Sequence, residues 1–203
     1  PKFTLPTLNY HEGVPGHHWQ ISIQQESGSI PFIRSALMGF SAFSEGWGLY
    51  AEALMAEPAQ GAPGGFYTSA EHLYQLQGQL YRDLRVRIDT GIHTGRLDYD
   101  TATTLFSEVV DFLPGSCGAS ATKGAAKRAS CDAAERALFR YSKWPTQAIT
   151  YRLGKDQIFA LRAEAEKLLG DTFSLKAFHL AFISQGTIPS GYFHDALLAE
   201  LRK

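Results

Sequence analysis

The sequence predicts an all-α fold, and three observations lead to this prediction. Apolar residues recur at helical spacing in several segments, most clearly at Ile158, Leu161 and Ala165. Residue types that favour the first turn of a helix stand just before such segments. No run alternates apolar and polar residues for long, and the chain has no Asn-Gly hairpin turn. We therefore expect helices joined by loops.

The first clear helix signal is Thr68-Ser69-Ala70-Glu71, which has the spacing of a capping box and predicts a helix to about Gly91. Later segments carry an Asp, Ser or Pro where a helix would begin. The helices predicted from these signals are 99–112 after Asp98, 145–169 before Gly170, 175–184 after Ser174, and a short helix that follows Pro189 and ends near Leu201.

Length, net charge and hydropathy indicate the domain organisation and argue against two kinds of partner, nucleic acid and a membrane-spanning environment. The 203 residues suit a single helical catalytic domain, or a fragment of one, over residues 1–203. A formal net charge of −1 gives no electrostatic reason to expect nucleic acid. No apolar run reaches the roughly 18 residues that a membrane-spanning helix needs, so no membrane span is predicted.

Two glycine-rich or small-residue segments predict loops, 61–65 and a flexible insertion at about 114–130. Cys117 and Cys131, the only cysteines, bracket the second loop. A disulfide between them and two separate thiols both fit this pattern. A disulfide would favour a periplasmic or secreted protein, and free thiols a cytoplasmic one.

The segment from His11 to His18 carries the strongest chemical signal. Imidazoles, a ligand carboxylate and a spare carboxylate are what a catalytic zinc hydrolase requires. In the common zincin motif the second histidine follows four residues after the first, but here that position is Pro15. A regular helix would align His18 with His11, whereas a break at Pro15 and Gly16 would bring His17 into line. The residues alone leave both alternatives open.

The wider pattern resembles a known family. His-Glu-x-x-Pro-Gly-His at 11–17 and Glu-Gly-Trp-x-Leu-Tyr at 45–50 resemble the bacterial family known as domain of unknown function 885. The likeness continues in segments spread over nearly the whole chain, namely 87–93, Arg140-Tyr141, Pro145-x-Gln147-Ala148, Tyr151, Gly154 and 186–189. That family is similar to zinc metallopeptidases of the HExxH-plus-Glu class, which include the angiotensin-converting and thimet-type peptidases. Its members are usually much longer, so the chain is expected to be the C-terminal catalytic portion of a larger helical protein.

The resemblance implies a zincin-like peptidase domain and assigns roles to residues of this chain. It makes His11, His17 and Glu45 the ligands of Zn²⁺ and Glu12 the general base, with His18 outside the motif as a supporting or spare imidazole. An Arg-Tyr pair late in the chain of the angiotensin-converting class points to Tyr141, with Arg140 behind it, as the donor to the reaction intermediate. Tyr151 is the alternative for that phenol.

Further candidates come from residue type and spacing. Glu52 lies seven residues after Glu45, on the same helical face, and either orients a ligand histidine or is simply solvated. Arg87 and Arg140 are candidates for binding a substrate carboxylate. His93, just after Gly91, either lines the cleft or has a role at a helix end.

The sequence therefore predicts a zinc-dependent hydrolase that cleaves short peptides. Two other functions remain open. One is a metal- or partner-binding helical domain without turnover of its own, with the upstream part of the parent protein as a candidate partner. The other is a zinc hydrolase of non-peptide amides or esters.

Overall fold

The structure is a computed structural model that describes residues 2–118 and 124–203. Within these residues it contains nine α-helices and no β-strand, which confirms the all-α prediction. The helices are α1 Leu5–Glu12, α2 His17–Glu26, α3 Ser41–Leu54, α4 Ser69–His93, α5 Tyr99–Val110, α6 Ala125–Lys143, α7 Thr150–Leu169, α8 Leu175–Ile183 and α9 His194–Leu201. No helix in the described ranges is both long and apolar enough to cross a membrane.

The capping signals read from the sequence are confirmed. The Asp98 side chain accepts a hydrogen bond from the Thr101 amide at 2.7 Å and starts α5. Thr68 and Glu71 form the reciprocal bonds of a capping box at the start of α4, at 2.8 and 3.4 Å. Ser174 caps α8 as Asp98 caps α5, by accepting a hydrogen bond from the Ala177 amide.

The chain divides into two compact units, Pro1–Gln75 with Thr150–Lys203, and Leu76–Ile149. The first unit is built around α3 and α7, whose backbones approach closely at Gly46 and Gly154. A Cβ on Gly46 would lie 2.5 Å from the Gly154 Cα, and one on Gly154 would collide with the Ala42 carbonyl oxygen. Only glycine on both helices permits this approach.

The core of the first unit is rich in aromatic side chains. Trp47 and Tyr50 of α3 are fully buried and pack against the side chains of α8, including Phe182 and His179. The Tyr50 hydroxyl is hydrogen-bonded to His179 Nε2 at 2.7 Å and accepts from Arg162 of α7 at 3.3 Å. The core therefore includes a satisfied polar network as well as apolar packing.

The second unit has its own core, formed by α5, α6 and residues 76–93 of α4. Cys117 and Cys131 are joined by a disulfide, so of the two alternatives open from the sequence the bonded pair is the one found. The predicted flexible insertion at 114–130 is only partly described, because residues 119–123 lie outside the described ranges. Its last part differs from the prediction: α6 begins at Ala125, since this segment is rich in strong helix formers and follows Gly124.

The helix predicted from Pro145 begins later. After Trp144 the chain reaches Thr146, whose positive φ of 72° is incompatible with a right-handed helix. The Thr146 amide is bonded to Asp89 at 3.2 Å, a 3₁₀ turn covers Gln147–Ile149, and α7 starts at Thr150. Pro145 therefore lies in a connection and not in the first turn of α7.

Candidate metal centre

Three helices of the first unit bring metal-ligand atoms together. His11 lies in the last turn of α1, His17 begins α2 and Glu45 lies in α3. One ligand atom from each falls within 4.8 Å of the others, the only such group found among the described residues. Glu45 Oε2 is 3.5 Å from His11 Nε2 and 3.5 Å from His17 Nε2.

These distances fit a metal ion better than a set of hydrogen bonds. A tetrahedral zinc with bonds of about 2.0–2.2 Å leaves its ligand atoms about 3.4 Å apart. A direct N–H···O bond, by contrast, usually has a heavy-atom distance of about 2.9 Å. Two imidazole nitrogens and one carboxylate oxygen are also the donor set of many catalytic zinc sites. The residues present therefore fit zinc.

A break between α1 and α2 selects His17. α1 ends at Glu12, and the amide of the following Gly13 caps it by bonding to the Asn9 carbonyl at 2.8 Å. Gly16 packs against the end of α1, where a Cβ would collide with the carbonyl oxygens of His11 and Tyr10. His17 then faces His11, with the two rings edge to face at 4.8 Å. His18 is exposed and does not belong to the cluster.

His11 is held by partners on two sides. Its Nδ1 lies 2.7 Å from Glu52 Oε1, and the Glu52 Oε2 accepts a hydrogen bond from Thr7 at 2.8 Å. A carboxylate behind a ligand histidine fixes the ring so that Nε2 points to the metal. Gly48 makes room for the ring, because a Cβ there would lie 2.7 Å from His11 Cε1. Glu52 is buried and stands behind His11, so the alternative of a solvated side chain is wrong.

Glu45 is held in place by a hydrogen bond from Tyr151. The Tyr151 hydroxyl of α7 donates to Glu45 Oε1 at 3.0 Å, within the close α3–α7 contact at Gly46 and Gly154. Burial alone would raise the pKa of the Glu45 carboxyl, but His11, His17 and Tyr151 outweigh it and hold that pKa well below its usual range. Glu45 is thus an anion, the form that a metal ion binds.

Glu12 is the exposed last residue of α1, directly after His11 in the chain, and it is not part of the three-residue cluster. A carboxylate beside a ligand, but not itself a ligand, is what the general-base assignment requires.

The other predicted site residues belong to the second unit. Tyr141 is buried, and its hydroxyl lies 3.1 Å from that of Tyr81. Burial raises the pKa of the Tyr141 hydroxyl far above its usual range. Arg87, Arg140 and His93 are exposed, and His93 Nε2 donates to the Tyr141 carbonyl at 3.1 Å. Their substrate-binding roles stay predictions.

Three residues of the site were not anticipated from the sequence in the roles they have. They are Thr7 behind Glu52, Gly48 against the His11 ring, and Trp47, whose indole bonds to the Pro15 carbonyl. Thr7 precedes His11 by four residues and so shares its helical face, which is the signal that could have identified it.

Comparisons with known proteins relate this chain to one family and to solved structures. Over residues 1–197 it matches the family described as "Bacterial protein of unknown function (DUF885)". No curated protein matches it. A solved candidate lipoprotein from Colwellia psychrerythraea shares 32% identity and a TM-score of 0.75, with 100% of this chain and 31% of that chain covered. A solved candidate lipoprotein of unknown function from Shewanella oneidensis shares 29% identity and a TM-score of 0.74, with 97% of this chain and 32% of that chain covered.

The chain therefore spans about a third of the length of these two relatives. The family match covers almost all of its residues, including every residue of the candidate metal centre. The chain belongs to the bacterial DUF885 family.

Proposed function

We propose that the first unit binds zinc through His11, His17 and Glu45 and hydrolyses the amide bonds of short peptides. The observation that carries the proposal is the convergence of two imidazole nitrogens and one anionic carboxylate within 4.8 Å. The likeness of the family's motifs to those of HExxH-plus-Glu metallopeptidases supports the same reading.

The chemistry divides between the ion and the side chains around it. Zinc held by three protein ligands supplies a Lewis acid with an open position, which activates water near neutral pH. Glu12 accepts the proton of the attacking water and delivers it to the leaving amine. Glu52, backed by Thr7, keeps the His11 ring oriented throughout.

Tyr151 is the phenol we assign to the reaction intermediate. Its hydroxyl already lies 3.0 Å from the ligand Glu45 and belongs to the same unit as the cluster. When this O–H turns from Glu45 to the substrate, it can donate to the oxyanion that forms as water attacks the carbonyl. Tyr141, the other candidate, belongs to the second unit and not to the unit that contains the cluster.

Metal analysis of matched variants tests the site. The purified chain should bind one zinc, His17→Ala should lose it, and His18→Ala should keep it, because only the first imidazole belongs to the cluster. Binding that survives His17→Ala unchanged, or a wild-type chain without affinity for zinc, would refute the centre as drawn.

Hydrolysis is tested with Glu12→Gln and a library of short peptides. The variant should keep zinc and lose cleavage, since the amide cannot accept the water proton. Zinc binding without cleavage of any peptide would instead favour a metal- or partner-binding domain. Cleavage confined to amide or ester reporters would favour a non-peptide hydrolase.

The proposal also includes the cellular compartment in which the protein functions. A disulfide between Cys117 and Cys131 is expected to persist in an oxidising environment. Two relatives with solved structures are described as candidate lipoproteins. We therefore propose that the chain functions outside the cytoplasm, and thiol labelling of the protein in intact cells tests this.

A further inference from the structure

The two proposed histidine ligands are separated by a segment without regular helix. α1 ends one residue after His11, α2 begins at His17, and residues 13–16 connect them. In a regular zincin motif, one helix would fix the spacing of both imidazoles. Here something other than helix geometry must fix the position of His17.

Trp47 of α3 forms a hydrogen bond to this segment. Its indole Nε1 donates to the Pro15 carbonyl oxygen at 2.8 Å, a bond between residues 32 apart in the chain. Pro15 is two residues from His17, and Trp47 is two residues from Glu45. The bond therefore joins the segment before one ligand to the helix that carries another.

The indole is a rigid anchor because its own position is fixed by packing. Trp47 is fully buried, and its ring contacts those of Tyr50, His179 and Phe182 in the core at centroid distances between 5.4 and 5.8 Å. An indole so enclosed has little freedom to follow a moving segment. The segment is instead held to the indole.

We infer that Trp47 is a positioning residue for the metal centre: its N–H, bound to the Pro15 carbonyl, sets the place of His17 relative to Glu45. The inference rests on the proposed zinc site and adds to it a residue that touches neither metal nor substrate. It also explains how a histidine spacing other than that of the zincin helix serves a three-ligand centre.

The test replaces the N–H without emptying the core. Benzothienylalanine at position 47 exchanges the indole N–H for sulfur at nearly the same shape, and Trp47→Phe is the simpler companion variant. Trp19→Phe is the matched control, because it alters an aromatic side chain packed against Trp47 at 5.9 Å without touching the bond to Pro15. Circular dichroism confirms that each metal-free variant is folded.

Two measurements are made on each protein: zinc affinity by chelator competition, and the visible spectrum of the Co²⁺-substituted chain at saturation. Altering Trp47 should weaken zinc binding about tenfold, as loss of a supporting partner does at other zinc sites, and should shift the Co²⁺ bands. Trp19→Phe should match the wild type. If Trp47→Phe does not fold, the benzothienylalanine protein alone is compared with the wild type.

Unchanged affinity and an unchanged Co²⁺ spectrum in the folded Trp47 variants would overturn the inference while leaving the zinc site intact. A wild-type chain that binds neither ion would overturn the proposed function, and the inference with it. A shift of equal size in Trp19→Phe would also overturn it, because general loosening of the aromatic core would then be the cause.

Discussion

The two units bury polar side chains in different arrangements. In the first, His11, His17 and Glu45 approach each other at distances longer than usual hydrogen bonds, with supporting partners on their outer sides. In the second, Tyr81 and Tyr141 pair with each other, and the Arg85 guanidinium lies against both rings at 5.4 Å. The first arrangement brings together the donor set of a metal ion, and the second joins two phenols and a guanidinium.

This difference indicates which cluster of polar side chains is the better candidate for a functional site. Two hydroxyls that pair directly contribute to stability, whereas two imidazoles and a carboxylate that converge on one point form a candidate site for chemistry. The two units also differ in what holds them together. Backbone contact between α3 and α7 organises the first unit, and a disulfide closes a loop in the second.

The largest effect is expected for Gly154→Ala. The added methyl group would collide with the Ala42 carbonyl and force α7 away from α3, at a cost of about 3 kcal/mol. It should also weaken zinc binding by moving Tyr151 from Glu45. Urea denaturation measures the first effect and chelator competition the second. Gly191→Ala is the control, since nothing lies within 4 Å of its added Cβ; equal stability of the two variants would contradict the proposed role of the contact.

The disulfide should stabilise the second unit by about 3 kcal/mol, given that it joins residues 14 apart. The double variant Cys117→Ser with Cys131→Ser should lower the free energy of unfolding by that amount and leave zinc stoichiometry unchanged, because all proposed ligands belong to the first unit. Loss of zinc from this variant would show that the comparison between the units is wrong.

Acid should destabilise the first unit through His179. Burial, with the nearby Arg162 charge, lowers the pKa of His179 to about 4, while in the unfolded chain it titrates near 6.5. Between these values the unfolded state binds more protons, so stability is complete above about pH 6.5 and falls as the pH drops towards 4. The loss attributable to His179 should be about 2 to 3 kcal/mol.

Urea titrations of the metal-free chain at several pH values measure this loss. His179→Gln should flatten the acid side of the stability profile. His194→Gln should leave it in place, because His194 is only partly buried and its pKa is raised, chiefly by its hydrogen bond to Asp195. An acid slope that persists in full after His179→Gln would assign the effect to another group.

The smallest effect is expected at Thr7. Thr7→Val removes the hydroxyl that holds Glu52 while keeping the side-chain shape, and should cost about 1 kcal/mol of metal binding, or about fivefold in the zinc dissociation constant. Thr7→Ser retains the hydroxyl and should restore the affinity. Equal affinities for the two variants would remove Thr7 from the site.

The parts of the fold that sequence predicted well were those with local signals. Asp98, Ser174 and the Thr68–Glu71 pair act on amides within three residues, so their helices could be recognised without tertiary information. The start of α6 at Ala125 differs from the predicted loop, because residues 125–130 combine small residues typical of loops with high helix propensity. The start of α7 depended on Thr146 and its bond to Asp89, 57 residues away.

The candidate metal centre, too, combines local signals that the sequence shows with long-range contacts that it does not show. The types of its proposed ligands were readable from the motifs, but the choice between His17 and His18 was not. That choice depends on the end of α1 and on a bond between Trp47 and Pro15 that no local pattern reveals. The close approach of Gly46 to Gly154 is equally long-range, and Tyr151 reaches Glu45 beside this contact.

The distribution of the proposed ligands over α1, α2 and α3 has a consequence for the lifetime of the chain. An ion bound by three helices acts as a cross-link, and a ligand at 100 times its dissociation constant adds about 2.7 kcal/mol to the free energy of unfolding. Metal starvation would then free the ends of α1 and α2 and raise amide hydrogen exchange at residues 13–16. Proteases would find their first cleavage sites there, so zinc supply would set how long the protein survives as well as whether it works.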